Sequence, residues 1–133
     1  MIACVFFFKR ECLTICIFLQ DYYMSPEIRQ NRQPFDAHAI DMWALGPILF
    51  MMVCGFSPWD KASPNDNRFR AFYNGQCVQL ATHWNLGLSP DLMDLLQRMF
   101  WMNPKNRLSL GQVRDHPWMN GPVAQPTLPE NIG

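Results

Sequence analysis

The sequence predicts a mainly α domain in which a buried central helix is surrounded by shorter helices and loops. Three observations predict it. From Asp41 to Cys54 the chain carries no charge after its first residue and is apolar almost throughout. After Ser89, the residues Leu92, Leu95, Leu96, Met99 and Phe100 recur at helical spacing and fall on one stripe. Ser109 is followed three residues on by Gln112, the capping-box pattern that opens a helix.

The central helix comes first because the others must wrap it. The 14 residues from Asp41 to Cys54 rise about 21 Å, too short to cross a bilayer. Apolar residues on every side fit a helix buried on most of its circumference. Asp36 is placed to cap its start. Gly55 suits a left-handed cap at its end, and Pro58 cannot continue it. Pro47 lacks the amide that would bond the Trp43 carbonyl. A proline inside a helix costs ~3 kcal/mol or more, so a kink is expected there.

Composition bounds the rest. A chain of 133 residues with 49% hydrophobic residues forms one domain with a core. Its 11 basic residues balance 11 acidic ones, and no basic cluster occurs. That excludes a nucleic-acid groove or an anionic membrane surface as its main partner. The five cysteines, Cys4, Cys12, Cys16, Cys54 and Cys77, form no Cys-x-x-Cys pair. They read as reduced thiols of an intracellular, cytoplasmic protein. Cys12 and Cys16 share a helix face, but no second pair follows, so no metal site is expected.

In chain order, residues 1–21 are an apolar leader. Two apolar runs flank Lys9-Arg10-Glu11. A spanning helix needs ~20 mostly apolar residues, and each central charge would cost about 2.5–3.5 kcal/mol. A signal peptide wants its positive charge before the apolar run and a small-residue cleavage site after it. Neither pattern fits. Short buried strands, an alternative start and a mispredicted exon all remain open. Residues 22–35 read as loop with a short helical turn, Pro26 at its first position. Residues 56–87 read as an irregular connection rich in turn formers, with a short helix at 68–73 presenting Phe69 and Phe72. His83 and Trp84 read as buried packing residues, since no acid or serine neighbours them at catalytic spacing. Ser89 caps the next helix, and Pro90 suits its first position. Asn103-Pro104 ends it. The Ser109 capping box starts a short helix near Leu110, with Leu108 and Val113 at staple positions, and Pro117 stops it. Residues 120–133, rich in proline and polar residues, form a loose tail.

A series of motifs stands in one order. Tyr23-Met-Ser-Pro-Glu27 comes first. Asp41-Met-Trp43-Ala-Leu-Gly46 follows, with Gly55-Phe-Ser-Pro-Trp59 behind it. Then come Leu88-Ser-Pro-Asp-Leu92 and Asn103-Pro-Lys-Asn-Arg107-Leu-Ser109, and last His116-Pro-Trp-Met119. Over residues 22–119 this resembles the C-terminal part of the large lobe of eukaryotic serine/threonine protein kinases, from the Pro-Glu end of the activation segment to the last helix. The resemblance implies ATP-dependent phosphorylation of protein Ser or Thr by the full-length family, with ATP and magnesium as its cofactors. It implies that Tyr23, Met24 and Ser25 belong to the substrate-docking loop. It also implies a buried ion pair between Glu27 and Arg107, 80 residues apart, and structural roles for Asp41, Trp43 and Gly46. In the family the aspartate matching Asp41 accepts amide bonds from the catalytic loop; without that loop Asp41 reads equally as an exposed helix-start acid. Gln20 stands where the family carries a threonine. Met51 stands where arginine-directed members carry glutamate.

Phosphoryl transfer needs groups that position ATP, magnesium and the attacking hydroxyl. The sequence contains no Gly-x-Gly, Val-Ala-x-Lys, His-Arg-Asp or Asp-Phe-Gly. No catalytic, cofactor-binding or metal-binding residue is therefore assigned to this chain. Gly-x-Ser-x-Gly and His-Glu-x-x-His are absent too. Two readings follow: part of a Ser/Thr kinase, inactive as it stands, or a non-catalytic kinase-like module that binds protein partners. A membrane-associated remnant held by residues 1–20 is the weaker third.

Overall fold

The computed structural model describes residues 22–31 and 34–122, so the 1–21 leader and the end of the tail lie outside the described residues. Among the described residues there are helices, turns and loops but no strand. The helices are α1 (Pro26–Arg29), α2 (Ala37–Cys54), α3 (Asn67–Tyr73), α4 (Cys77–His83), α5 (Pro90–Met99), α6 (Leu110–Arg114) and α7 (Pro117–Asn120), with a 3-10 turn at Pro104–Asn106.

α2 begins four residues before Asp41 because Asp36 caps it, accepting from the amides of His38 at 2.9 Å and Ala39 at 3.3 Å. Gly55 closes it at φ 77°, a backbone region that costs glycine nothing. The helix continues through Pro47. At 18 residues it is long and apolar enough to span a bilayer by length and composition. The expectation that it was too short therefore fails. Packing assigns it to the core instead. Ala39, Met42, Trp43, Gly46, Pro47 and Phe50 form one buried stripe.

The expectation of burial around most of the circumference is corrected. Asp41, Leu45, Ile48 and Met52 share the opposite face and are exposed, Met52 by 78%. The shorter helices gather on one side only, with α5 in contact along α2. Among the described residues nothing covers the other side.

The core is aromatic. Trp43, Phe50, Trp59, Phe69, Phe72 and Phe100 are all buried in one cluster. Trp59 lies 5.2 Å from Phe100 and 5.1 Å from Phe69 between ring centres, in edge-to-face arrangement. Such pairs add about 0.5–1.5 kcal/mol each beyond the area they bury. Gly46 lets α5 come this close. A Cβ there would sit 2.7 Å from Phe100 Cζ, inside van der Waals contact.

α5 follows the sequence reading. Ser89 accepts from the Leu92 amide at 3.2 Å, and Leu92, Leu95, Leu96, Met99 and Phe100 are all buried. Both capping-box bonds of Ser109 and Gln112 are present. Leu108 is buried against Met42, Leu95 and Met99, with Val113 packed on them, as the staple requires.

Three expectations are revised. The 56–87 connection holds a second helix, α4, which carries no periodic stripe strong enough to show in seven residues. Pro117 does not stop a helix; α6 ends at Arg114, and Pro117 opens α7 behind the His116 cap. His83 is exposed at the end of α4 rather than buried, while Trp84 packs half-buried at 5.8 Å from Phe56.

Candidate functional site

Arg107 and Glu27, the pair that the resemblance implies, meet in the interior of the fold although 80 residues separate them. Arg107 follows the 3-10 turn, whose start is fixed by Asn103 accepting from Lys105 at 3.1 Å. Glu27 sits in the first turn of α1, where Pro26 presets the backbone. The two meet in a fork, Nη1 to Oε1 and Nη2 to Oε2, each 2.6 Å. Their side chains are 0% and 6% exposed.

The guanidinium also donates from Nε to the Trp101 carbonyl at 2.7 Å, from Nη1 to the Ala39 carbonyl at 2.9 Å and from Nη2 to the Met102 carbonyl at 3.4 Å. All five of its N–H groups are thus engaged. Its flat face lies 5.0 Å from the Trp43 ring centre. One side chain therefore ties α1, the start of α2 and the loop after α5 together. Burial pushes the Glu27 carboxyl up, but the hydrogen bonds from Arg107, the backbone and Ser25, together with the Arg107 charge, hold it below its ordinary value.

Of the other residues singled out in the sequence, Trp43 packs against this clamp and Asp41 does not reach it. Trp43 is fully buried beneath Arg107, and its Nε1 makes no hydrogen bond among the described residues. Gly46 lies one turn on, under Phe100. Asp41 is exposed on α2 and its side chain makes no bond among the described residues, but it lies in the second turn of the helix rather than at its start. Of the three residues expected in a docking loop, Tyr23 and Met24 are half-buried and Ser25 is fully buried before α1, so only the first two offer surface. Tyr22 anchors that loop: its carbonyl accepts from Trp59 Nε1 at 3.4 Å.

Sequence reasoning missed several polar fixtures. Gln97 is buried and bridges two helices, its Oε1 accepting from the Cys77 amide at 3.1 Å and its Nε2 donating to the Phe72 carbonyl at 3.4 Å. Asp66, read only as a turn former, accepts from the amides of Asp60, Lys61, Arg68 and Phe69. Burial pushes its carboxyl up; those four amides more than offset that and lower it. Asp94 takes Arg98 at 2.9 Å and His116 Nε2 at 3.1 Å, while His116 Nδ1 accepts from the Trp118 amide at 3.2 Å. Of these, only Asp66-x-Arg68-Phe69 carried a local signal, that of an Asp N-cap.

Cys54 and Cys77 are free thiols. Burial, and then the proximity of Cys54, pushes Cys77 up to about 12. Among the described residues no three His, Cys, Asp or Glu side chains converge, so they do not fit a metal ion.

A helical lobe built on one apolar helix and locked by a buried long-range Arg–Glu fork is the class that this fold defines. Residues 10–119 match the family profile described as protein kinase domain. The chain belongs to the protein kinase domain family. The match starts upstream of Tyr22, where the sequence motifs begin. The chain is 36% identical over 110 residues to human SNF-related serine/threonine-protein kinase, covering 83% of this chain and 14% of that protein. It is 32% identical over 108 residues to Arabidopsis thaliana calcium-dependent protein kinase 34, covering 81% of this chain and 20% of the relative. It is 37% identical over 98 residues to Schizosaccharomyces pombe serine/threonine-protein kinase chk1, covering 73% of this chain and 19% of the relative. The chain thus spans about a fifth or less of the length of these relatives.

Proposed function

We propose that this chain is the substrate-side part of a Ser/Thr protein kinase and does not transfer phosphate on its own. The whole kinase would move the γ-phosphoryl group of ATP, with magnesium, to a Ser or Thr of a protein. Residues outside this sequence would hold the nucleotide and metal. The contribution of this chain is architectural: the Arg107 clamp fixes α1, and α1 fixes the loop of Tyr23 and Met24 that would meet the protein substrate. That role belongs to an intracellular protein with reduced thiols.

One observation carries the reading. α2 is the central helix of the lobe, yet Leu45, Ile48, Met52 and Val53 are exposed on it. Their exposed fractions, 40%, 38%, 78% and 41%, amount to about two whole side chains, so covering them is worth roughly 3–6 kcal/mol in total, a sizeable part of a domain's stability of ~5–15 kcal/mol. A face of that value suits the seat of the lobe's catalytic side, with Asp41 at its head.

The second reading is a non-catalytic module that docks a protein partner. Its support is the self-sufficient aromatic core around Trp43 and Trp59.

Sequencing the transcript upstream of Met1 tests the choice. A reading frame that continues into His-Arg-Asp and Asp-Phe-Gly, with a longer product that phosphorylates a protein from ATP and magnesium, supports the first. An upstream stop codon, with a 133-residue product that unfolds cooperatively and copurifies with a partner, overturns it for the second.

A further inference from the structure

A cavity of about 360 Å³ opens beside the clamp, between the second half of α5, the loop from Trp101 to Asn106 and the first turn of α6. Its wall is polar, and hydrogen-bond accounting shows an imbalance. Arg107 reaches it, but all its N–H groups are already engaged. Asp94, the acid on the wall, accepts from Arg98 and His116 through Oδ2 alone, so its Oδ1 is an acceptor still open there and its charge is set against that of Arg98.

The donors are far less occupied. Lys105 is exposed and its ammonium makes no ion pair among the described residues. Arg98 reaches Asp94 through Nε, leaving its two terminal amino groups. Gln112 gives its Oε1 to the Ser109 amide at 2.8 Å, so its Nε2 is left over. The Asn106 side chain makes no bond among the described residues. Trp101, 38% exposed, supplies a flat wall at the edge.

Two cationic side chains and two amides thus face one cavity with donors to give. The ligand that complements them has several acceptor oxygens and negative charge. A carboxylate offers two oxygens, a phosphoryl group three at a charge of about −1.5 to −2. We propose that this cavity binds a phosphoryl oxyanion, with Lys105 and Arg98 as its charged contacts and Asn106 and Gln112 as orienting donors. Nothing in this site depends on the phosphotransfer reading above; it would serve a kinase part and a binding module equally.

The full chain, labelled with nitrogen-15, is titrated with inorganic phosphate against chloride of matched ionic strength. It is titrated in parallel with a phosphoserine peptide and its glutamate counterpart. Saturable shifts confined to the Trp101 indole and the amides of residues 105–112 are expected. Lys105→Ala should weaken binding roughly tenfold, the worth of one charge-assisted hydrogen bond. Lys61→Ala, at an exposed lysine outside the cavity, should leave it unchanged. Arg98→Gln should weaken it as well, although it also disturbs Asp94, so Lys105→Ala decides. Binding of phosphate but not of the phosphopeptide would support the site and identify its ligand as a free anion. Binding of both would identify a phosphorylated protein segment. Shifts spread over the surface, shifts indifferent to Lys105→Ala, or a glutamate peptide that binds as well as the phosphoserine one would overturn the proposal.

Discussion

Arg107→Ala leaves Glu27 buried without a partner, and the cost follows from the structure. The Glu27 side chain is 6% exposed, so water cannot replace the two 2.6 Å bonds that it loses. The carbonyls of Ala39, Trp101 and Met102 lose donors in the same step. Breaking one side of a buried pair costs about 3–5 kcal/mol. Against a domain stability of ~5–15 kcal/mol, the variant sits near the edge of folding. Glu27→Leu alone strands the guanidinium and should cost a similar amount. In Arg107→Met with Glu27→Leu no charge is stranded, and the combined loss should fall well short of the sum. Urea unfolding of the wild type, both single variants and the double variant measures this directly, with the coupling energy read from the cycle. Additive losses, or an Arg107→Ala midpoint equal to wild type, would refute the claim that this pair locks the lobe.

Other outcomes follow from the same geometry. Gly46→Ala should destabilise by about 1–3 kcal/mol despite the better helix propensity of alanine, because Phe100 is walled in by Trp43, Trp59 and Phe72; pairing it with Phe100→Leu should return part of the loss in urea midpoints. Ser109→Ala removes the capping box and should cost ~0.5–2 kcal/mol by the same assay. Glu27 and Asp66 are held below their ordinary values of 4.5 and 3.8, so their contribution is complete above those values and disappears as pH falls through the lower folded-state values. Thermal midpoints should accordingly be flat toward neutrality and drop below about pH 4. Cys77, buried and pushed up to about 12, should resist a maleimide in the native protein at mildly alkaline pH and react on unfolding, as mass spectrometry would show.

Much of this was written locally. The ends of α2 were legible because capping is a short-range bond: Asp36 reaches amides two and three residues on, and Gly55 needs only its own backbone. The stripe of α5 and the box at Ser109 were legible for the same reason. α4 was not, since seven residues give too little periodicity, and its start depends on Gln97, 20 residues away. The site was legible only through resemblance. Nothing within a few residues of Glu27 announces that Arg107 is its partner.

By itself, then, the sequence determined where the capped helices α2, α5 and α6 start, because hydrogen bonds between near neighbours decide that. Tertiary structure alone decided which side of each helix is used. Trp43 and Ile48 lie on the same apolar helix, and composition cannot tell them apart. Only packing puts Trp43 under Arg107 and Ile48 in water, because burial belongs to what lies opposite a side chain rather than to the side chain.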